Sequence, residues 1–233
     1  MDNNDAPVGR SEDATVIRVL RAVGRCYARI YQRLEVRSPC RLPRRGPAIL
    51  VCNHTGAVDP LLIQSVSGRL IRWMMAKEYF DHKPLRWIFD AVGVILVERS
   101  GRDMAATRHA MRALEAGQVL GVFPEGRIET SKELLPFQSG IGLLALKSGA
   151  PVYPTYLDGT QRGKEMLEVF LTRSEASIAF GPAVDLTQLD KSRRGIEEAA
   201  KRIRSAVLAL GNGRWESLSP ANNGLANEKN CRD

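Results

Sequence analysis

Short runs of Val, Ile, Leu and Ala alternate along this chain with segments whose apolar residues recur at helical spacing. The runs are typical of buried strands, which the sequence predicts at 47–52, 71–76, 92–97, 119–123, 151–157 and 176–180. The helix-like segments lie between them, and the sequence predicts helices at 59–67, 87–91, 103–116, 138–147 and 189–210. Strands that alternate with helices favour an α/β fold, in which helices cover a mostly parallel sheet.

The length of 233 residues and the hydrophobic content of 44% fit a single α/β domain. Residues 46–210 are predicted to form that domain. A basic amphipathic segment, 14–45, precedes it, and residues 1–13 are predicted to be a flexible N-terminus. The tail at 211–233 is rich in Asn, Gly, Ser and Pro, so it is predicted to be disordered.

The cysteines and the lengths of the apolar runs bear on location. Cys26, Cys40, Cys52 and Cys231 are scattered, with no CxxC pair and no metal-ligand spacing. This usage is typical of buried free thiols in a reducing cytoplasm. No apolar run approaches the ~18 residues that a membrane span needs, and no signal-peptide hydrophobic region follows Met1. We therefore expect a cytoplasmic protein that meets any membrane from its surface.

Positive charge is concentrated in the segment 14–45. This segment has nine arginines and one acidic residue, so its net charge of +8 equals that of the whole chain. Five of the arginines recur every three or four residues: Arg18, Arg21, Arg25, Arg29 and Arg33. An apolar set lies beside them, formed by Ile17, Leu20, Val23, Tyr27, Ile30, Tyr31 and Leu34. The pattern predicts a helix that lies on an anionic membrane surface, where each arginine contributes about 1 kcal/mol.

Two other interpretations of this helix stay open. Its apolar side can pack on the domain while the arginines are solvated, which makes the helix part of the core. A strongly basic chain can also bind nucleic acid. The arginines are not interleaved with aromatic residues on a loop or sheet platform, so nucleic acid is the weakest of the three. We expect a peripheral protein at the cytoplasmic face of the membrane, with no nucleic-acid partner.

The candidate chemistry centres on residues 53–60, between the first predicted strand and the first predicted helix of the domain. Side chains five residues apart on a continuous helix point about 140° from each other, so Asp59 reaches His54 only if the chain turns between them. The Thr-Gly pair that follows His54 permits such a turn. A carboxylate on one imidazole nitrogen raises the basicity of the other, which makes His54 a candidate general base for a hydroxyl. The alternative is a surface histidine near an aspartate that caps a helix, with Pro60 at the first helical position.

Three further blocks of residues follow that turn. The four blocks are Asn53-His54-x4-Asp59, then Val97-Glu98-Arg99, then Phe123-Pro124-Glu125-Gly126-Arg127, and then the apolar strand Ala150–Tyr156 with its paired prolines. Their order and separations resemble the glycerolipid acyltransferase family, whose bacterial type member makes phosphatidic acid from 1-acylglycerol-3-phosphate. The resemblance covers roughly residues 45–160. The family's third block is Phe-Pro-Glu-Gly-Thr-Arg, from which this chain departs because Arg127 follows Gly126 directly.

The resemblance implies an enzyme that moves a fatty acyl group from a thioester donor to a lysophospholipid hydroxyl. The donor is acyl-CoA or acyl carrier protein as a co-substrate, and no cofactor or metal is implied. The default acceptor is 1-acylglycerol-3-phosphate, which yields phosphatidic acid. His54 takes the hydroxyl proton, and Asp59 orients the imidazole and stabilises the imidazolium.

Substrate-binding roles follow for five further residues. The resemblance places the acceptor phosphate near the second and third blocks, which nominates Arg99 and Arg127, since an arginine fork suits a phosphate. Lys77 resembles a lysine common in the family and adds a third cation. Plain salt bridges with neighbouring carboxylates are the alternative for both arginines. Gly126 lets the backbone approach the reacting carbonyl and offers an N–H to the oxyanion, while Glu125 braces the loop or a substrate hydroxyl.

Other functions stay open at this point. The altered third block favours a peripheral membrane-binding protein with a degenerate catalytic site, whereas the intact His54 and Asp59 oppose it. A hydrolase that uses this pair on metal or water needs further ligands, and the chain has three histidines in all. An acyltransferase for glycerol-3-phosphate or another lysolipid would use similar residues.

Overall fold

The computed structural model of the protein describes residues 14–80, 86–98, 103–128, 133–160 and 166–213. Its helices are Ala14–Cys26 (α1), Asp59–Val66 (α2), Lys77–Phe80 (α3), Arg86–Val92 (α4), Met104–Glu115 (α5), Gly140–Ser148 (α6), Met166–Leu171 (α7) and Arg193–Gly211 (α8). A π-helical turn, Tyr27–Tyr31, continues α1. Its strands are Glu35–Val36 (β1), Ala48–Cys52 (β2), Ile71–Ala76 (β3), Ile95–Val97 (β4), Val119–Val122 (β5), Val152–Asp158 (β6) and Ser177–Phe180 (β7).

The strands form a seven-stranded sheet in the order β1-β7-β6-β2-β5-β3-β4. Strands β6 and β7 pair antiparallel, and the other neighbouring pairs are parallel. Crossover helices connect the parallel strands, as this topology requires. The structure thus confirms the predicted α/β fold with a mostly parallel sheet covered by helices.

The core lies on both faces of the sheet, which explains why β2 is apolar at every position. Ile49 and Val51 point into a cluster formed with α5, α6 and α8. Leu50 and Cys52 point to the opposite face, where α2 and the π-helical turn pack. Alternate residues of a strand point to opposite faces, so a strand covered on both sides must be apolar throughout. The central strand that leads to the candidate site is therefore held rigidly from both sides.

The predicted elements of the domain agree with the observed ones to within four residues. The largest shifts are in α8, which begins at Arg193 rather than at residue 189, and in β4. This strand begins at Ile95 rather than at residue 92, because α4 continues to Val92 and Gly93 then turns the chain with a φ of 65°. Elements β1, α3 and α7 were not predicted. They have two, four and six residues, which is too short for a periodic pattern to emerge.

The basic segment near the N-terminus is partly a component of this fold. Arg21 Nη2 donates a hydrogen bond to the carbonyl oxygen of Ser67 (2.7 Å), and Arg25 Nε donates to that of Ser65 (3.2 Å). Both acceptors lie at the end of α2, where a helix exposes unpaired carbonyls and favours positive charge. Burial lowers the pKa of Arg21, and the nearby charge of Arg25 lowers it further. Two arginines of the predicted membrane stripe therefore cap a neighbouring helix.

The apolar residues of the same segment divide between the core and the surface. Tyr27 and Leu34 pack against the core cluster on the α2 face of the sheet, whereas Val23 and Ile30 are 62% and 74% exposed. Tyr27 and Leu34 fit the interpretation in which the helix is part of the core. Val23 and Ile30 fit the interpretation in which it lies on a membrane surface. The helix ends at Tyr31, before the fifth arginine of the stripe.

The domain boundaries predicted from the sequence need correction where the structure describes the chain. Strand β1 pairs with β7, so part of the segment 14–45 belongs to the sheet, and the predicted domain start at 46 falls inside the packed fold. Cys26 is exposed rather than buried. The predicted flexible N-terminus, 1–13, and residues 214–233 of the predicted tail lie outside the described residues.

Candidate active site

The His54 turn lies at the carboxyl edge of the sheet. His54 follows the last residue of β2 by two positions, and Asp59 is the first residue of α2. Strands β2, β5, β3 and β4 are parallel neighbours in that order, so the segments that follow them meet at the same edge. Open α/β sheets bind their ligands at this edge. The predicted strand-to-helix turn is therefore present in a position suited to substrate.

Asp59 and His54 are in direct contact. Asp59 Oδ2 lies 3.0 Å from His54 Nδ1. The same oxygen accepts hydrogen bonds from the backbone N–H groups of Thr55 (2.6 Å) and Gly56 (2.9 Å), and Thr55 Oγ1 donates to Asp59 Oδ1 (3.1 Å). Asp59 is fully buried, and these donors satisfy its carboxylate. A carboxylate facing Nδ1 assigns the ring proton to that nitrogen, which leaves the lone pair of Nε2 free to accept a proton.

Two polar contacts with the segment around β6 hold this turn in place. Asn53 Nδ2 donates to the carbonyl oxygen of Leu157, and the Leu157 N–H donates to Asn53 Oδ1, both at 2.8 Å. The hydroxyl of Thr55 also contacts that of Thr160, just beyond β6. The sequence motif includes Asn53, but the pattern alone did not reveal that its amide fastens the end of β2 to β6.

Glu125 holds the backbone of the turn that contains His54. Its Oε1 accepts a hydrogen bond from the His54 N–H (2.8 Å), and its Oε2 accepts one from the Leu135 N–H (3.0 Å). The side chain is buried, with 6% of the residue exposed. The carboxylate therefore links the turn after β2 to two parts of the loop after β5. This contact favours the bracing role for Glu125 over contact with a substrate hydroxyl.

Gly126 adopts a conformation that favours glycine. Its φ is 73°, and a Cβ built on it would lie 2.1 Å from Gln138 Nε2. Its N–H donates to the carbonyl oxygen of Phe123 (3.1 Å), closing the turn at the end of β5. An oxyanion role would require this N–H to leave the turn, so the contact argues against the role expected from the sequence. Arg127 follows at once and is exposed, as a cation that meets a substrate phosphate must be.

The other candidate cations lie farther along the same edge. Lys77 Nζ and Glu98 Oε1 form an exposed salt bridge of 3.1 Å, which joins the ends of β3 and β4. Strands are spaced about 4.8 Å apart, so Lys77 and Glu98 follow strands roughly 10 and 14 Å from β2. Arg99 lies outside the described residues. The structure therefore brings together His54, Asp59 and Glu125. Lys77 follows a strand two positions away in the sheet from β2.

Cys52 is the thiol closest in sequence to His54, yet it is poorly suited to catalysis. Burial raises the pKa of its thiol well above the ordinary value, and the negative charges of Asp59 and Glu125 raise it further. The residue is fully buried, and its Sγ contacts Asn53 Oδ1 at 3.4 Å. A protonated, inaccessible thiol is a weak nucleophile. The site thus favours direct transfer with a histidine base over an acyl-cysteine intermediate.

Among the described residues, no group of three or more His, Cys, Asp and Glu side chains is arranged to hold a metal ion. Within the same ranges, no helix combines the length and apolar character needed to cross a membrane.

The sequence matches a protein-family model described as Acyltransferase over residues 33–158. A 1-acyl-sn-glycerol-3-phosphate acyltransferase of Bacillus subtilis (strain 168) is 26% identical over 128 residues, which cover 54% of this chain and 63% of the relative. The 1-acyl-sn-glycerol-3-phosphate acyltransferase beta of Homo sapiens is 28% identical over 160 residues, covering 67% of this chain and 58% of the relative. This chain thus spans less than two thirds of either relative.

A solved structure shares the fold. The crystal structure of the 1-acyl-sn-glycerophosphate acyltransferase from Thermotoga maritima superposes with a TM-score of 0.66 and 20% sequence identity. The match covers 84% of this chain and 80% of that one. Because the family model spans more than half of the sequence, this chain belongs to the glycerolipid acyltransferase family.

Proposed function

We propose that the protein transfers a fatty acyl group from a thioester donor to the hydroxyl of 1-acylglycerol-3-phosphate. The contact between His54 and Asp59 carries this proposal. Asp59 is fully buried, whereas 18% of the His54 side chain is exposed, so the carboxylate supports the ring from behind while the ring remains accessible to substrate. The names of the bacterial and human relatives support this acceptor.

The chemistry follows from this arrangement. His54 Nε2 accepts the proton of the acceptor hydroxyl as its oxygen attacks the thioester carbonyl. A carbon–oxygen bond forms, the carbon–sulfur bond breaks, and the departing thiolate takes the proton from the imidazolium. Asp59 stabilises the imidazolium while it exists. We propose acyl-CoA or acyl carrier protein as the co-substrate of this reaction, with no further cofactor.

The test is mass spectrometry of products formed by the purified protein. The protein is mixed with several lysophospholipids and glycerol-3-phosphate, with acyl-CoA in one reaction and acyl carrier protein in another. Phosphatidic acid is the expected main product, and the two reactions identify the donor. Acylation of a different acceptor would refute the substrate assignment but not the chemistry. No acylated product from any acceptor with either donor would favour the degenerate, membrane-binding alternative.

Loss of the candidate phosphate-binding arginines should raise the KM for the acceptor. A hydrogen bond to a charged group contributes about 1.5–3 kcal/mol, so Arg127→Ala and Arg99→Ala should each raise that KM about 10- to 100-fold. The KM for the acyl donor should change much less. Arg108→Ala, which removes an exposed arginine from α5, is the control. An increase confined to the KM for acyl-CoA would assign these arginines to the donor phosphates instead.

We further propose that the protein works as a peripheral protein on an anionic membrane, at the cytoplasmic face. Val23 and Ile30 are exposed on the N-terminal helical segment, and Leu171 of α7 is 76% exposed. The hydroxyl of Tyr31 donates to the carbonyl oxygen of Leu171 (2.5 Å), which brings α7 against that segment. Arg29, which precedes Ile30 in the sequence, is exposed and adds positive charge to this segment. Apolar side chains beside arginines are suited to the headgroup region of an anionic bilayer.

The α7 part of this surface lies at the edge of the sheet that carries His54. Strand β6 runs parallel to β2, and its Thr155 is opposite Cys52, the residue where β2 ends. Strand β7 runs back from that edge, with Ser177 opposite Asp158. The connection between β6 and β7, which contains α7, therefore lies on the catalytic side. A membrane at this surface would present lipid substrate toward the site.

Binding to liposomes should require anionic lipid and should weaken as salt rises. Arginine–phosphate attraction is screened over about 8–10 Å at physiological salt, so co-sedimentation should fall steeply above that concentration. Ile30→Asp and Leu171→Asp should also reduce binding, whereas Leu208→Asp, on the helix that covers the other face of the sheet, should not. Deletion of 1–34 is less useful because it removes buried Ala28 and Gln32. Salt-insensitive binding to neutral vesicles would contradict this proposal.

A further inference from the structure

Three aromatic rings form a continuous stack from the core to the candidate base. The ring of His54 lies on the ring of Phe123, with centroids 4.1 Å apart and planes inclined by 15°. The ring of Phe123 lies in turn on that of Trp73, at 4.7 Å and 10°. We call these three residues the aromatic stack. These ring contacts are separate from the hydrogen bonds that Asp59 and Glu125 make.

The stack depends on three adjacent strands. Trp73 lies on β3, Phe123 follows β5 directly, and His54 follows β2. Trp73 is the register partner of Gly121 on β5. A Cβ on Gly121 would lie 2.5 Å from Trp73 Cε3, so the missing side chain gives the indole the space in which it lies beside β5 and meets Phe123. The position of the ring under His54 is thus built into the sheet.

We propose that Phe123, backed by Trp73, is a positioning residue that sets the plane of the His54 ring. This inference rests on the proposed role of His54 as the base. The hydrogen bond from Nδ1 to Asp59 fixes the direction of one ring nitrogen but leaves the ring able to tilt about that bond. A parallel ring at stacking distance removes this freedom, since tilting would break the face-to-face contact.

The stack also acts on the charged state of the base. An aromatic face attracts a cation placed over it, so Phe123 stabilises the imidazolium that forms as His54 takes the hydroxyl proton. Asp59 acts on the same charge from within the ring plane, at right angles to the stack. The stack covers one face of the imidazole and leaves the ring plane, where the lone pair of Nε2 lies, for the acceptor hydroxyl.

Trp73 contributes its ring face rather than its polar atom. Its Nε1 is buried and has no hydrogen-bond partner among the described residues. A buried donor without a partner adds no stabilising hydrogen bond, so Trp73 acts here through its ring face. Trp73→Phe keeps an aromatic face and removes the unpaired donor, which makes it a conservative test of the backing contact.

The experiment compares Phe123→Leu, which removes the ring, with Phe123→Tyr, which keeps it. The first readout is the nuclear magnetic resonance signal of the carbon-bound ring protons of His54. His54→Ala identifies these signals among those of the three histidines of the chain. Phe123 should shift the His54 protons upfield through its ring current. The shift should persist in Phe123→Tyr and Trp73→Phe and disappear in Phe123→Leu.

The second readout separates kcat from KM. Misplacement of a catalytic group by 1 Å can reduce the rate about 100-fold, so kcat should fall about 10- to 100-fold in Phe123→Leu. Both KM values should stay within about twofold of wild type, because the ring contacts His54 rather than substrate, and Phe123→Tyr should restore kcat. Phe123→Met, with an unbranched side chain of similar size, replaces the Leu variant if thermal melting shows that Leu fails to fold.

Three results would overturn the proposal. One is a wild-type protein whose His54 protons show no upfield shift. This measurement does not depend on turnover, so its failure can be distinguished from failure of the proposed function. Another is a folded Phe123→Leu protein that loses the shift but keeps wild-type kcat. The third is an effect confined to the KM of the acceptor, which would make Phe123 a substrate contact.

Discussion

His54→Ala should abolish measurable acyl transfer and leave the fold intact. Loss of a general base reduces rates by about 10²–10⁴, and more when the base acts as a unit with its carboxylate. The fold should survive because Asp59 keeps the backbone N–H groups of Thr55 and Gly56 as hydrogen-bond donors after the imidazole is gone. The buried carboxylate therefore stays satisfied. Product formation followed by mass spectrometry, together with thermal melting by circular dichroism, measures both quantities.

His109→Ala is the matched control, since it removes a histidine from α5 without touching the candidate site. It should retain wild-type kcat.

Asp59→Asn should also cause a severe loss of acyl transfer, but this loss is harder to interpret. An amide has one acceptor oxygen, and its NH₂ group would face N–H donors now bound by the carboxylate. Wild-type turnover by a folded His54→Ala protein would refute histidine as the base.

The contact between His54 and Asp59 was predictable because it is local. The two residues are separated by a single turn, which Gly56 permits, and Pro60 favours the start of the helix that follows. The strands were predictable for a similar reason, since burial on both faces makes each one an unbroken apolar run. The family resemblance, confirmed by the family model, then indicated the chemistry.

Long-range contacts were beyond prediction from the sequence. Glu125 lies 71 residues from His54, and Leu157 lies 104 residues from Asn53. Their contacts exist because β2 lies between β5 and β6, and the order of parallel strands is not encoded by any one segment. The ring contact of Phe123 with His54 has the same origin. A sequence motif therefore identifies the residues of a site but does not identify their long-range contacts.

The N-terminal arginines show a different limit. Their spacing correctly indicated a helical segment with charge on one side, but spacing does not say which partner a charge meets. Arg21 and Arg25 bind carbonyls at the end of α2, while Arg29 is exposed. One sequence pattern therefore contains residues that hold the fold together and residues available to a membrane. Only packing against α2 separates the two groups.

Glu125→Gln should cause the second-largest loss, because this carboxylate fixes the backbone of His54 itself. Its two oxygens accept from the N–H groups of His54 and Leu135, and an amide can accept only one such bond in this geometry. One buried N–H would then face the NH₂ group, which should lower the free energy of unfolding by about 1–3 kcal/mol. The released turn would shift His54 relative to substrate, so kcat should fall about 10- to 100-fold.

Urea denaturation and steady-state kinetics of Glu125→Gln, with Glu133→Gln as control, test this expectation. Glu133 is an exposed glutamate near Leu135, so its replacement keeps the same change in charge without touching the brace. The KM for the acceptor should stay close to wild type in both variants. If instead Glu125→Gln raises that KM and leaves kcat unchanged, its carboxylate holds a substrate hydroxyl, which is the other role that the sequence allowed. A variant with reduced stability but wild-type kcat would show that the brace supports the loop after β5 without setting the position of the base.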